Sequence, residues 1–193
     1  MKKIIVLLLI ITCFSAMGQK DSIHGYEKGI EIQYSRDVKT NVRNFWIYDN
    51  FVFFNNINIM LVNGYRLNRT IFLGGIVGLN YEFSYINRFN MYIKDYIYNI
   101  RIPIMARVKI IFHNNYTSPF FMADIGCRLH VASSYSYNFF ACGFVVSPGI
   151  GIDIPIAKKY SLSLIVRMEY KKMKKNLLEE DIVDVGGSIG FNF

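Results

Sequence analysis

Gly186-Gly187-Ser188-Ile189-Gly190-Phe191-Asn192-Phe193 closes the chain. Apolar side chains alternate with small or polar ones up to a terminal aromatic residue. Burying a Phe is worth roughly 1.5–3 kcal/mol, so a soluble domain gains little by ending on an exposed one. A strand whose last outward ring sits at a membrane–water interface has a use for it. Working backward, the same period-2 alternation recurs to about residue 25, and no capped helix-period stripe interrupts it.

The alternation predicts eight strands, at about 27–36, 53–66, 70–84, 97–112, 119–131, 139–155, 160–171 and 182–193. In 97–112, Tyr98, Ile100, Ile102, Ile104, Ala106, Val108, Ile110 and Phe112 share one face. Asn99, Arg101, Met105, Arg107 and Lys109 share the other. The expected connections near 67–69, 113–118 and 156–159 are short. Those near 37–52, 85–96, 132–138 and 172–181 are mostly longer. Short turns on one side and longer loops on the other mark a transmembrane barrel. The fold class expected is all-β: an eight-stranded antiparallel up-and-down transmembrane β-barrel.

The start of the chain agrees. Lys2 and Lys3 precede an apolar run, Ile4 to Phe14, too short to span a bilayer. Ala16-Met17-Gly18 then offers a small-residue cleavage site. Residues 1–18 are expected to be a signal peptide and 19–193 an outer-membrane barrel domain. Thr12 before Cys13 argues against lipidation. The chain is 52% hydrophobic, with 14 Tyr and 16 Phe, and lipid or a core must cover that surface. Removing Lys2 and Lys3 leaves 20 basic and 14 acidic residues, a net charge of +6. Export makes nucleic acid an unnatural partner; anionic headgroups and lipopolysaccharide phosphates suit the charge better.

Alternation alone does not say which face is outside. A soluble lipocalin-like carrier would hide the apolar face; a membrane barrel inverts it. Here the polar faces carry Gly, Ser and Asn with both signs of charge: Glu31, Glu82, Asp124, Asp153, Glu169 and Asp184 against Arg66, Arg101, Arg107, Lys109, Arg128 and Arg167. Small residues and balanced charges fit a narrow interior that side chains fill. The expectation is a lipid-facing apolar surface and a lumen plugged by these twelve residues as a charge network.

Several segments carry a resemblance to a known family: Ile102-Pro103-Ile104-Met105-Ala106-Arg107, Ser118-Pro119-Phe120-Phe121-Met122-Ala123-Asp124-Ile125-Gly126, Pro148-Gly149-Ile150-Gly151-Ile152-Asp153 and the terminal eight residues. Over about 55–193 the chain resembles the small outer-membrane β-barrel domain proteins of Gram-negative bacteria, eight-stranded and OmpA- or OmpX-like. The resemblance implies an outer-membrane location. It also implies that Phe191 and Phe193 belong to an insertion signal read by the barrel-assembly machinery, although Ser188 stands at the usual Gly position and Gly186 at the usual polar one. It implies no single activity.

No metal-ligand spacing is present, and no cofactor is expected. His24 and His113 fall in a tail and a turn. His130, near Ser133 and Ser134, is read as a polar rim residue rather than a catalytic base. A lipid A-modifying enzyme is the alternative that His130 keeps open. Trp46, Tyr48, Arg88 and Tyr92 lie on predicted loops as a candidate binding surface, or as part of an interfacial girdle. Lys171-Lys172-Met173-Lys174-Lys175 is expected in a loop. Cys127 and Cys142 are expected directly opposite one another, both outward, as neighbouring thiols rather than a disulfide. The expected protein is a non-enzymatic monomer with both termini periplasmic and an unidentified extracellular ligand.

Overall fold

The computed structural model describes residues 25–42, 54–87, 94–112, 117–133, 142–157, 160–175 and 178–193. Eight antiparallel strands close on themselves in sequence order. They are β1 (Gly25–Val42), β2 (Asn55–Arg66), β3 (Ile71–Asn87), β4 (Lys94–Ile111), β5 (Ser118–Ser133), β6 (Cys142–Ala157), β7 (Tyr160–Lys175) and β8 (Leu178–Asn192). Every strand joins its neighbours, and β1 pairs with β8, so no edge is left open. Phe193 extends the seam, donating its amide to the Lys28 carbonyl at 2.8 Å and accepting from the Lys28 amide at 3.1 Å.

The register fixes the tilt. Stepping from Phe120 through its paired residues Gly151, Ile165, Ser188, Gln33, Asn58, Asn80 and Arg101 returns to β5 at His130, ten residues from the start. An offset that size tilts every strand to the barrel axis. The strands run from 12 to 18 residues, more than the roughly 9–11 that cross a bilayer. They therefore project beyond the apolar zone.

The apolar face is outside. Ile32, Phe121, Ile150, Val166 and Ile189 are all more than half exposed. Aromatic side chains bracket this aliphatic band. At the end holding the termini, Tyr160 stacks on Phe191, Phe191 lies against Phe193, and Phe112 meets Phe121 edge-on. Toward the far end, Tyr81 stacks with Phe83 and Tyr98. An outward apolar band between two aromatic girdles is the surface of a lipid-facing barrel.

The strands are longer than the sequence pattern predicts. β1 was expected over 27–36 but continues to Val42. Val38 keeps the outward parity of Ile32 and Tyr34, but it stands among Arg36, Asp37, Lys39, Thr40 and Asn41 with a bulge between Asp37 and Lys39, so the continuation reads as polar loop. β7 and β8 extend to a connection at 176–177 only, which replaces the expected loop 172–181. Much of the expected loop 85–96 is likewise strand, leaving 88–93. Above the lipid both faces of a strand are wet, and the hydrophobic period that marks it in sequence disappears.

Candidate functional site in the charged lumen

Alternation sends every second side chain into a barrel interior just wide enough for side chains to fill, so inward charges must find one another. Two acids and two bases form the central group. Arg107 on β4 grips Asp124 on β5 through both edges, Nε to Oδ1 at 2.7 Å and Nη2 to Oδ2 at 2.8 Å. Its third nitrogen, Nη1, reaches Glu31 on β1 at 2.8 Å. Arg167 on β7 donates to Asp124 Oδ2 at 3.1 Å, to Ser188 Oγ at 3.1 Å and to Glu31. The four charges tie β1, β4, β5 and β7 together across the lumen, with each carboxylate shared by both guanidinium groups. Fork-shaped donors suit this bridging; a lysine could not hold both edges of a carboxylate.

Nearer the termini, Lys109 Nζ contacts Asp153 at 2.5 Å and lies 3.8 Å above the centre of the Phe120 ring. Ser163 donates to the second oxygen of Asp153 at 2.6 Å. Toward the far end, Arg101 grips Glu82 with contacts of 2.7 and 3.1 Å, and Asn99 adds a bond of 2.7 Å to the same carboxylate. Arg128 holds Glu169 at 2.6 Å. Lys171 sits among four carboxylates. It touches Asp184 and lies 3.7 Å from Glu169, 3.8 Å from Glu82 and 3.9 Å from Asp37. Asn56 bridges two of these acids, donating to Asp37 at 3.3 Å and to Asp184 at 3.1 Å.

Eleven of the twelve residues expected in the lumen network are buried there: Glu31, Glu82, Arg101, Arg107, Lys109, Asp124, Arg128, Asp153, Arg167, Glu169 and Asp184. Arg66 is the exception. As the last residue of β2 it stands at the mouth, half-buried, and pairs with Glu27. Two members were missed. Asp37 and Lys171 were assigned to loops, yet Asp37 is 2% exposed and Lys171 fully enclosed. The available signal was parity: both continue the inward series of their strands. Among the described residues the lumen thus holds seven buried acids and six buried bases.

Charges do not fill the interior alone. Met60, Val62, Phe72, Ile76, Met105, Phe120, Met122 and Ile165 also point inward and form a buried apolar cluster, which sequence reasoning noted only at Met105. Glycines make room for it. Gly64 pairs with Gly74, and a Cβ on Gly64 would lie 2.4 Å from both the Leu73 carbonyl and the Phe72 ring. Between this cluster and the Lys171 group, Gln33, Asn58 and Asn80 lie on one cross-strand line. Their carboxamides have no partner among the described residues, so ordered water is their natural hydrogen-bond partner.

The charged side chains of the lumen are engaged with one another. Ser163 and Ser188 are engaged with charged groups. No group of three or more metal-ligating side chains occurs among the described residues. His130 faces the lumen, paired across the strands with Arg101. Trp46, Tyr48, Arg88, Tyr92, His24, His113 and the expected signal segment 1–18 lie outside the described residues.

The thiol register differs from expectation. Cys127 pairs with Phe144, and Cys142 with Leu129, so the cysteines are diagonal rather than direct neighbours. The slip is two residues, which keeps both on the outer face. They are free thiols, Cys142 exposed and Cys127 half-buried.

No protein-family model matches the sequence, and no curated protein sequence matches it. Solved structures do match in fold. Neisserial surface protein A is 12% identical with a TM-score of 0.52, the alignment covering 88% of this chain and 97% of that one. The outer membrane protein OprG from Pseudomonas aeruginosa is 6% identical with a TM-score of 0.55, covering 86% and 95%. The chain has the fold of the small eight-stranded outer-membrane β-barrels.

Proposed function

We propose that the chain is a non-enzymatic outer-membrane barrel whose wall and lumen form a rigid scaffold and whose far-end connections meet the outside. The observation that carries this reading is the inverted surface: an apolar, aromatic-bounded exterior around a lumen packed with paired charges and an apolar cluster. A lumen so filled supports neither a diffusion pore nor an enclosed catalytic site, because the charged groups are spent on one another.

In this reading residues 1–18 direct export and are removed. Phe191 and Phe193 serve recognition by the barrel-assembly machinery. Both termini lie on the periplasmic side, as an even strand number requires of the two ends together. The barrel is a monomer surrounded by outer-membrane lipid and lipopolysaccharide, and its extracellular ligand is met by the loops, with Trp46, Tyr48, Arg88 and Tyr92 as the first candidates.

Cell fractionation with proteolysis of intact cells tests the proposal. The protein should enter the outer-membrane fraction and be cut only in far-end connections such as 134–141. Recovery in the soluble fraction, or cleavage at the termini from outside, refutes it. A change in lipid A mass on His130→Ala, with the barrel still folded, would favour an enzyme instead.

A further inference from the structure

We infer that Asp37 and Asp184, facing one another across the seam between β1 and β8, hold a single proton, and that its release as the pH rises loosens the seam. The charges of the lumen lead to this pair. In the central group two acids meet two bases, and nearer the termini Lys109 matches Asp153. The far-end group is unbalanced. Among the described residues, Asp37, Glu82, Glu169 and Asp184 face only Lys171, Arg101 and Arg128, and all of them are buried. A buried charge without a counter-charge is costly enough that the group takes up a proton instead.

The register locates the excess acid. Asp37 pairs directly with Asp184, and Asp184 pairs directly with Glu169. Three inward carboxylates therefore stand side by side on β1, β8 and β7, where like charges destabilise a sheet. Arg128 holds Glu169, and Lys171 touches Asp184. Asp37 has no such grip: Lys171, the base within 4 Å of it among the described residues, lies 3.9 Å away. Neutral groups supply its closer contacts, the Phe54 amide to Oδ2 and the Asn56 amide to Oδ1, both at 3.3 Å. The same Asn56 nitrogen is 3.1 Å from Asp184 Oδ2, the oxygen that Lys171 touches. One amide and one ammonium thus serve both carboxylates. Asp184 Oδ1 and Asn56 Oδ1 are buried acceptors with no donor among the described residues. A carboxyl O–H on Asp37 is the kind of donor that this site lacks.

Asp37 carries the proton, because Asp184 has the lysine. The charged groups around the pair come from every side of the lumen: Glu82 on β3 with its partner Arg101 on β4, Arg128 on β5, and Glu169 and Lys171 on β7. β2 brings the neutral Asn56, and β6 sets the neutral Val145 opposite Lys171. In the unfolded chain Asp37 ionises in the ordinary carboxylate range, whereas two carboxylates sharing one buried site cannot both ionise there. The barrel therefore binds one proton more than the unfolded chain over the interval between the two ionisations. Its stability falls as the pH rises through that interval and levels off once the folded pair has ionised. The proton leaves to water, and the second negative charge left beside Asp184 repels it across the seam. Acid tightens the closure; alkali loosens it.

The test uses the purified, folded protein in detergent, so its outcome is independent of the proposed location. Infrared difference spectra at neutral pH should show the carbonyl stretch of a protonated carboxyl in the parent and lose it in Asp37→Asn. That variant matches the neutral acid in shape and should fold as the parent does, judged by heat-modifiable gel mobility. Its unfolding in urea should lack one proton of pH dependence. The ratio of the parent's unfolding constant to the variant's should rise about tenfold per pH unit above the ordinary aspartate range, then reach a plateau. Asp184→Asn, which strips Lys171 of its partner, should unfold far more readily than Asp37→Asn at neutral pH. Absence of the carboxyl band from the parent, a ratio that does not change with pH, or failure of Asp37→Asn to fold overturns the inference. So does a band that survives Asp37→Asn and vanishes in Glu169→Gln, which would put the proton on another acid. A parent that lacks the band and gains stability with sodium or potassium concentration would show a bound cation as the missing charge, and would equally overturn it.

Discussion

Lys171 and Lys172 are adjacent in sequence and opposite in circumstance. Lys171 is fully enclosed among Asp37, Glu82, Glu169 and Asp184, while Lys172 is exposed on the outer face. Removing one partner of a buried ion group leaves charge without compensation, costing about 3–5 kcal/mol; exposed positions generally change stability by less than about 0.5 kcal/mol. Lys171→Met should therefore lower the urea unfolding midpoint of the refolded barrel sharply, and Lys172→Met hardly at all. Equal effects would contradict the burial of Lys171. Asp124 gives a second case. Asp124→Ala strips both Arg107 and Arg167 of a shared carboxylate, with a loss of about 3–5 kcal/mol expected. In a double-mutant cycle with Arg107→Leu the losses should be strongly non-additive, since the two residues share one network.

At the scale of elements, the seam between β1 and β8 decides whether a sheet becomes a barrel. Gly186 lies on that seam opposite Ser35, and a Cβ there would come within 2.3 Å of the Tyr34 carbonyl and 2.5 Å of the Ser35 Cβ. Gly187, one residue on, faces outward, and its Cβ would meet nothing closer than the Ile165 carbonyl at 3.5 Å. Gly186→Val should therefore impair closure, with overpacking of roughly 1–3 kcal/mol or more. The folded, heat-modifiable species should fall accordingly. Gly187→Ala should fold as the parent does. If both variants close equally well, the seam is looser than its register indicates.

For the whole molecule, the ion groups at three levels and the apolar cluster together occupy the lumen. The purified protein in planar bilayers should show no large, stable conductance steps. Regular steps that persist over time would mean that the interior rearranges into a pore, and the scaffold reading would fall with them. The surface sets the same scale: a barrel exposing Ile32, Val166 and Ile189 needs lipid or detergent to remain dispersed. Extraction should require detergent, not salt or alkali.

The period-2 pattern by itself determined the strand number, the antiparallel order and the division of side chains between two faces, because in a strand the face is dictated by parity alone. It also determined most of the lumen, since inward charges on Glu31, Arg107, Asp124 and Arg167 follow from the same parity. It lost the thread wherever both faces of a strand meet water. There Asp37 and Lys171 read as loop, although they complete the buried network. Only the tertiary structure decided who pairs with whom: the ten-residue offset around the barrel brings β1, β4, β5 and β7 to one ion cluster. That offset is a property of closure, in which every strand must satisfy two neighbours at once. The two-residue difference at Cys127 and Cys142 has the same origin. Hydrophobic alternation is unchanged by a slip of two, so the sequence specifies the face, and the hydrogen bonds of the closed sheet specify the partner.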